Sequence, residues 1–220
     1  MQEPPINVTQ LADKLVGAVP RFDHIGRRVA VALYRELAKG RPVPLARVAT
    51  LLDLTHEAVG GALAANLLLF NSDGSVIGFG GLNVTEMLPH RFRVNDETLY
   101  TWCAWDSLFI PGILGKAADV ASRDPVTGIP ISLKVAPDHV RGVQPAGTVV
   151  SFLAPNRAFD RNAITNFCHF VHFFGSEETG RTWTADHRGT FLLSLEDAFA
   201  LGRLTNARNF GDALGTTSES

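Results

Sequence analysis

A short aromatic segment places a cysteine and an aspartate three positions apart. The segment Leu-Tyr-Thr-Trp-Cys-Ala-Trp-Asp contains Cys103 and ends at Asp106. In a predicted helix over residues 97–114, capped by Asn95 or Asp96, these two side chains are neighbours on one face, and the helix dipole favours a thiolate. A carboxylate desolvated by tryptophans has a raised pKa and can exchange a proton with a thiol. The alternative is that Cys103 is a small buried apolar residue and Asp106 an exposed helix-edge carboxylate.

The other cysteine lies in an aromatic segment with two histidines. Residues 166–174 read Asn-Phe-Cys-His-Phe-Val-His-Phe-Phe and predict a buried strand with Cys168 and His172 on one face. Four residues of strand span roughly 13 Å, so these two side chains cannot bind one ion together. His172 and His169 are therefore interpreted as core residues. Two cysteines without paired spacing fit neither a structural zinc site nor, in a reducing compartment, a disulfide.

The elements that must position these residues begin with helices. Apolar residues recur with helical periodicity in four segments, which are residues 8–19, 25–39, 45–52 and 55–69. Asp73-Gly74 then predicts the tip of a β-hairpin with a type I′ turn. Helices followed by a hairpin predict a winged-helix-like module over residues 1–82.

The remainder of the chain predicts a strand-rich part. Runs of β-branched and aromatic residues predict strands over residues 91–94, 131–136, 148–152, 167–174 and 190–195. Pro111 is expected to kink or end the helix over 97–114, and Ser194 begins a capping pattern for a final helix. The predicted fold class is α+β, with a mixed or antiparallel sheet and flanking helices over residues 83–220. The tail over about 211–220 is predicted to be disordered.

The composition argues against several kinds of partner. Lys and Arg number 20 and Asp and Glu 22, so the net charge of −2 gives no general attraction to nucleic acid or anionic lipid. No apolar run is long enough to cross a membrane. The N-terminal sequence lacks the pattern of a secretory signal. A cytoplasmic protein is expected.

Several separated sequence motifs resemble those of the organomercurial lyases (alkylmercury lyases) of bacterial mercury resistance. The motifs are LYRELAKGRPV at 33–43, LYTWCAWD at 99–106, GIPISLKVAPDHV at 128–140, QPAGTVVSFLAP at 144–155, NFCHFVHFF at 166–174 and EDAFALG at 196–202. They occur in the same order as in the family, and the resemblance covers roughly residues 25–206.

The resemblance implies a reaction and a role for each site residue. The reaction is protonolysis of a carbon–mercury bond, which releases a hydrocarbon and Hg²⁺. Cys103 and Cys168 are implied as the mercury-binding thiolates, since thiolate is the soft ligand that mercury prefers. Asp106 is implied as the proton carrier that also contacts the metal product, and Trp102 and Phe167 as the apolar wall for the organic group. No organic cofactor is implied. Low-molecular-weight thiols are expected to help remove the product, and a mercuric reductase to accept it.

Three positions depart from the family pattern. Asp124 and His169 stand where some members carry an accessory cysteine, so neither position offers a thiol to shuttle mercury. Catalysis is expected to survive because Cys103, Cys168 and Asp106 are all present. Trp105 stands where a smaller aliphatic residue is expected, which predicts a narrower substrate range.

Other functions remain open at this point. A metal-responsive winged-helix regulator would use residues 55–69 as its recognition helix, but that segment has no Lys or Arg for DNA contacts. A cysteine hydrolase would use Cys103 with His139, His172 or His187 as its base. A non-catalytic mercury-binding protein would keep the two thiols without the proton transfer.

Overall fold

Helices at the N-terminus lead into two antiparallel sheets in the computed structural model, which describes residues 7–63 and 67–215. The helices are α1 (Val8–Ala18), α2 (His24–Leu37), α3 (Leu45–Leu52), α4 (His56–Ala62), α5 (Asp106–Leu114), α6 (Ala163–Asn166), α7 (Glu177–Asp186) and α8 (Leu195–Phe210). The strands are β1 (Leu68–Phe70), β2 (Val76–Phe79), β3 (Leu82–Asn83), β4 (Arg91–Val94), β5 (Glu97–Thr101), β6 (Ala118–Arg123), β7 (Pro130–Val135), β8 (Val140–Gln144), β9 (Val149–Leu153), β10 (Phe173–Phe174) and β11 (Thr190–Ser194). The predicted α+β class is confirmed.

Side-chain caps explain where the first helices begin. Asn7 accepts a hydrogen bond from the backbone N–H of Gln10 and so caps α1, while Asp23 and Thr55 cap α2 and α4 in the same way. Each cap satisfies one of the N–H groups that a helix start leaves unpaired. The predictions for α1, α2 and α3 are confirmed to within two residues.

The fourth helix is shorter than predicted. It ends at Ala62, and Leu68 already lies in β1, so one continuous helix over residues 55–69 is wrong. Gly60 and Gly61 weaken the helix, and the following leucines gain hydrogen bonds by pairing with β2. Residues 64–66 lie outside the described residues.

One sheet joins the two predicted parts of the chain. Its eight strands lie in the order β1-β2-β3-β5-β4-β6-β7-β8, and a second sheet has the order β10-β9-β11. The predicted boundary at residue 82 therefore falls inside β3. The hairpin at Asp73-Gly74 is confirmed, but only Gly74 has a positive φ, of 74°. The Asn71 side chain accepts hydrogen bonds from Asp73 and Ser75, and this wider loop replaces the type I′ turn.

The helix predicted over residues 97–114 is wrong in its first half. Asn95 and Asp96 have φ values of 49° and 67°, which is the geometry of a two-residue hairpin turn rather than a helix cap. They join β4 to β5, and the helix begins only at Asp106. It continues past Pro111 and ends at Leu114, and the left-handed backbone of Gly115 caps it.

The strand predicted over residues 167–174 is also mostly wrong. Cys168–Phe170 form a turn of 3₁₀ helix, and only Phe173–Phe174 pair with β9. The Ser151 side chain explains the early end of pairing, because its hydroxyl binds the backbone carbonyl of Phe170 and the N–H of His172. The predicted strands over residues 91–94, 131–136, 148–152 and 190–195 correspond to β4, β7, β9 and β11 and are confirmed.

The C-terminal helix packs across the N-terminal one. The Ser194 hydroxyl caps α8 by accepting a hydrogen bond from Asp197, as predicted, and α8 lies against α1 and α5. Gly211–Leu214 then form a 3₁₀ turn at the start of the segment predicted to be disordered, and residues 216–220 lie outside the described residues. Among the described helices, none has the length and apolar character to span a bilayer.

Candidate active site

Three chemically reactive side chains meet in the interior. One ligand atom each from Cys103, Asp106 and Cys168 lies within 4.8 Å of the other two, and all three residues are buried. Within residues 7–63 and 67–215, this is the single group of three or more His, Cys, Asp and Glu side chains with that proximity. The structure thus brings together the two cysteines and the aspartate that the sequence singled out.

A tight turn before α5, rather than a helix face, makes Cys103 and Asp106 neighbours. The Cys103 N–H donates to Oδ2 of Asp106 at 2.8 Å. The Thr101 hydroxyl donates to the Cys103 carbonyl, and the Ser107 hydroxyl donates to the Ala104 carbonyl. Side chains therefore satisfy the polar groups of this buried turn, so its geometry is fixed before any ligand binds.

A backbone hydrogen bond between two loops brings the second cysteine to the first. The N–H of Ala104 donates to the carbonyl of Val171 at 3.1 Å, and the N–H of Val171 donates in turn to the carbonyl of Cys168. The His172 ring contacts the carbonyl of His169 and is not part of the cysteine–carboxylate group. The sequence-based conclusion that Cys168 and His172 do not share an ion holds, although only Phe173–Phe174 of the strand on which it was based are formed.

Burial controls the protonation of the three groups. Burial raises the pKa of Asp106 to about 7, although hydrogen bonds from Cys103 partly offset it. Burial, the contact with Cys168 and the Asp106 charge raise the pKa of Cys103. The contact with Cys103 lowers the pKa of Cys168, but burial and the Asp106 charge outweigh it, so the net shift is upward. Near neutral pH the cysteines are thiols, and the carboxyl group is close to its midpoint, poised to accept or donate a proton.

An apolar cavity opens onto Asp106 and Cys168. Trp102 and Phe167, the two residues predicted to form its wall, both line it, together with Trp105. The N-terminal helices contribute Phe22 of the α1–α2 connection and Tyr34 of α2 to the same cavity. An aromatic cavity beside two thiols suits an apolar group attached to a soft metal.

Two residues at this site were not among the predicted site residues. Gly81 lies directly against the carboxyl group of Asp106, and Tyr34 donates a hydrogen bond to the carbonyl of Gly80. The Gly80-Gly81 pair after a predicted strand was the available sign, because paired glycines mark a close approach of backbone to another group.

The two positions that replace accessory cysteines have different surroundings. Asp124 accepts hydrogen bonds from the N–H of Gly175 and the hydroxyl of Thr179, and it also binds backbone N–H groups of its own loop. Burial raises its pKa, but these hydrogen bonds outweigh burial and lower it. Asp124 therefore connects two loops, whereas His169 is exposed, so its interpretation as a core residue is wrong.

The three histidines considered as bases for a cysteine hydrolase are engaged elsewhere. His139 is exposed and its ring contacts the Asp138 carboxylate. The ring of His187 stacks on Trp183 with centroids 3.6 Å apart, and His172 bonds to a backbone carbonyl. A thiol–imidazole pair at Cys103 is therefore not formed by any of them, which removes the basis for the hydrolase interpretation.

Comparison with known proteins decides the family. The family model described as alkylmercury lyase matches residues 85–206, a range that contains all three reactive residues. The chain belongs to the alkylmercury lyase family. Relatives named alkylmercury lyase include one from Streptomyces lividans, 41% identical over 82% of this chain and 83% of its own length. Another, from Pseudomonas putida, is 42% identical over 79% of this chain and 81% of its own length. One from Bacillus cereus is 38% identical over 80% of this chain and 79% of its own length.

The fold agrees with a solved structure of a family member. The crystal structure of the mercury-bound form of MerB2 matches with a TM-score of 0.74, covering 94% of this chain and 98% of that chain. Sequence identity between the two is 20%. The likeness therefore shows the same fold over the N-terminal helices as well as the matched range.

Proposed function

We propose that this protein is an organomercurial lyase that cleaves carbon–mercury bonds by protonolysis, with Cys103, Cys168 and Asp106 as the reacting groups. The observation that carries the proposal is the buried cluster of two thiols and one carboxyl group, within 4.8 Å of one another. It lies beside a cavity with an aromatic wall. The membership of the alkylmercury lyase family supports the same activity.

The chemistry requires two thiols and one proton carrier. Cys103 or Cys168 transfers its thiol proton to the Asp106 carboxylate, and the resulting thiolate forms an S–Hg bond with R–Hg⁺. The second thiol releases its proton to solvent and adds to mercury as a thiolate, and its electron donation makes the carbon basic enough to be protonated. Asp106 delivers the proton to the carbon as the carbon–mercury bond breaks. In sum, R–Hg⁺ and two thiols give RH, a dithiolate-bound Hg²⁺ and one proton.

The environment of Asp106 supports its role in both proton transfers. A group that accepts a proton in one step and donates it in the next works best with a pKa near the working pH. Burial raises the pKa of Asp106 to about 7. The Cys103 N–H holds one carboxylate oxygen, which keeps the carboxyl group beside the thiols.

Headspace gas chromatography of purified protein tests this function. Protein mixed with methylmercury and excess thiol is expected to release methane. Cys103→Ala, Cys168→Ala and Asp106→Ala should each abolish the release. Binding of mercury without methane, and without benzene from phenylmercury, would instead support a non-catalytic mercury-binding protein.

Trp105 is expected to restrict the organic group. Its Nε1 donates to the Ala198 carbonyl at 3.0 Å and its ring packs edge-on against Phe152. Trp105→Leu should enlarge the cavity and raise the kcat/KM of phenylmercury relative to methylmercury by roughly tenfold. It should also destabilise the protein by about 2–4 kcal/mol through lost packing and loss of the hydrogen bond to Ala198. Benzene and methane release, with chemical denaturation, measure both effects. If the variant is folded and the ratio of its kcat/KM values for phenylmercury and methylmercury is unchanged, Trp105 does not set the substrate range.

Product removal and location form part of the proposal. Hg²⁺ held by two buried thiolates leaves by exchange with other thiols, so low-molecular-weight thiols are expected to assist turnover and a mercuric reductase to accept the ion. No organic cofactor takes part in the scheme. A reducing cytoplasm suits two cysteines that must remain free thiols.

We further propose that the N-terminal helices form a winged-helix-like module that covers the cavity rather than binding DNA. Helices α2–α4 and the β1–β2 hairpin supply the elements of such a module, and Tyr34 from α2 lines the cavity. Helix α4 contains no Lys or Arg to contact phosphates or guanine. A gel shift at low salt is expected to detect no DNA complex.

A further inference from the structure

The turn between β2 and β3 lies between a tyrosine hydroxyl and the Asp106 carboxyl group. Gly80 and Gly81 have φ values of 50° and 103°, a backbone region that side chains rarely adopt. The carbonyl of Gly80 accepts a hydrogen bond from the Tyr34 hydroxyl at 2.6 Å, and the carbonyl of Gly81 accepts one from the Trp102 N–H at 2.9 Å. Both carbonyls of the turn are therefore held in place.

The turn touches the reactive carboxyl group directly. A Cβ atom added to Gly81 would lie 2.5 Å from Oδ1 and from Cγ of Asp106, a distance that real Cβ atoms do not show. The opposite oxygen, Oδ2, accepts the Cys103 N–H. The carboxyl group is thus confined on one side by a hydrogen bond and on the other by the Gly81 backbone.

From this arrangement we propose that Tyr34 is a positioning residue for the Asp106 carboxyl group and acts through the Gly80-Gly81 turn. The inference rests on the proposed function in one respect, since it assigns Tyr34 an effect on the proton delivered by Asp106. Tyr34 belongs to α2, so the proposal also gives the N-terminal helices a role in catalysis beyond covering the cavity.

The surroundings of Tyr34 keep its hydroxyl a hydrogen-bond donor. The side chain is buried, and its ring packs against Phe79 with centroids 5.0 Å apart. Burial and the charge of Asp106 raise the pKa of Tyr34, so the hydroxyl retains its proton when Asp106 is ionised. Loss of this donor would leave the Gly80 carbonyl unpaired and free the turn to move away from Asp106.

Tyr34→Phe tests the proposal because it removes the hydroxyl and keeps the ring. The kcat for methane release from methylmercury should fall roughly tenfold, with KM within about twofold of wild type, because a small misplacement of a reacting group lowers the rate of the chemical step. Amide hydrogen exchange followed by NMR should be roughly tenfold faster at Cys103, whose N–H binds Asp106. It should be unchanged at Ala104, whose N–H binds Val171.

The two readouts separate this inference from the proposed function. If Tyr34→Phe releases methane at the wild-type rate, the positioning role is overturned, whether or not exchange at Cys103 becomes faster. The proposed lyase function is unaffected by that result. If wild type releases no methane, the proposed function fails. Faster exchange at Cys103 alone then supports the positioning of Asp106, and unchanged exchange overturns it.

A second pair of variants examines the same contact from the backbone. Gly81→Ala should reduce kcat roughly 100-fold, since the new methyl group displaces the Asp106 carboxyl group. Gly74→Ala is the matched control, because Gly74 also has a positive φ but has no atom within 4 Å of an added Cβ. It carries the cost of an alanine at positive φ without touching the site. Equal kcat values for the two variants would contradict the proposal.

Discussion

Asp106→Asn is expected to lose hydrocarbon release and to gain stability at neutral and alkaline pH. The amide cannot carry a proton between thiol and carbon, and removal of a general acid–base group costs about 10²–10⁴ in rate. The amide oxygen can still accept the Cys103 N–H that Asp106 binds now. The loss of activity should therefore arise from the missing proton transfer and not from a disrupted turn.

The gain in stability follows from the direction of the pKa shift. Burial raises the Asp106 pKa from 3.8 to about 7 in the folded protein. Between these values the folded state binds more protons than the unfolded state, so wild-type stability falls as pH rises through this window. The asparagine variant carries no such penalty. Its stability relative to wild type should be lowest below pH 4 and should rise by on the order of 4 kcal/mol above pH 7.

Asp124→Asn is a control variant whose change in stability relative to wild type is expected to have the opposite sign. Hydrogen bonds lower the Asp124 pKa below its ordinary value, so this carboxylate stabilises the folded state above pH 4, and the contribution is lost as pH falls. The variant should be less stable than wild type at pH 7, and the difference should shrink in acid. Urea denaturation at pH 3, 4, 6 and 8 measures both variants. A stability difference for Asp106→Asn that does not change with pH would show that the carboxyl group is not held in a desolvated state.

Cys168→Ser is expected to bind an organomercurial and retain it uncleaved. Cys103 alone can exchange its proton for R–Hg⁺, which gives a stable S–Hg–R adduct with mercury in two-coordinate form. Without a second thiolate the carbon stays too weakly basic to be protonated, so methane release should fall by at least about 10³-fold. The Cys168 side chain contacts Cys103 directly in the resting protein, so the second thiol is already in place in wild type.

Intact-protein mass spectrometry detects the trapped species. Cys168→Ser treated with one equivalent of methylmercury should gain the mass of one methylmercury group less one proton. Wild type under the same conditions should gain one mercury atom less two protons, because methane has left. Cys103→Ser is the reciprocal variant, and it shows whether Cys168 can bind first. Methane release by Cys168→Ser at the wild-type rate would refute a mechanism with two thiols.

Local structure around the site was the least predictable feature. The segment after Asn95 has the apolar content of a helix, but the Asn95-Asp96 pair adopts left-handed backbone and turns the chain into β5. Only pairing with β4 distinguishes these outcomes, and pairing depends on residues elsewhere in the chain. The same holds at the second cysteine, where the Ser151 hydroxyl replaces strand hydrogen bonds and produces a 3₁₀ turn.

Elements with strong local signals were predicted well. Helix α3 matches its predicted bounds, and the Ser194 cap begins α8 as its pattern indicated. Strand β4 likewise matches residues 91–94. In these places periodicity and capping point to the same structure as the tertiary contacts.

The sequence was sufficient to identify the family and to single out Cys103, Asp106 and Cys168, because ordered motifs surround these residues whatever their local structure. How the three residues meet depends on contacts that form in the folded chain. A backbone hydrogen bond from Ala104 to Val171 joins two loops that are distant in sequence, and Gly81 confines the carboxyl group. Desolvation, which raises the Asp106 pKa to about 7, is likewise a property of the packed core. Such long-range contacts have no local periodicity, so no pattern within a single segment can encode them.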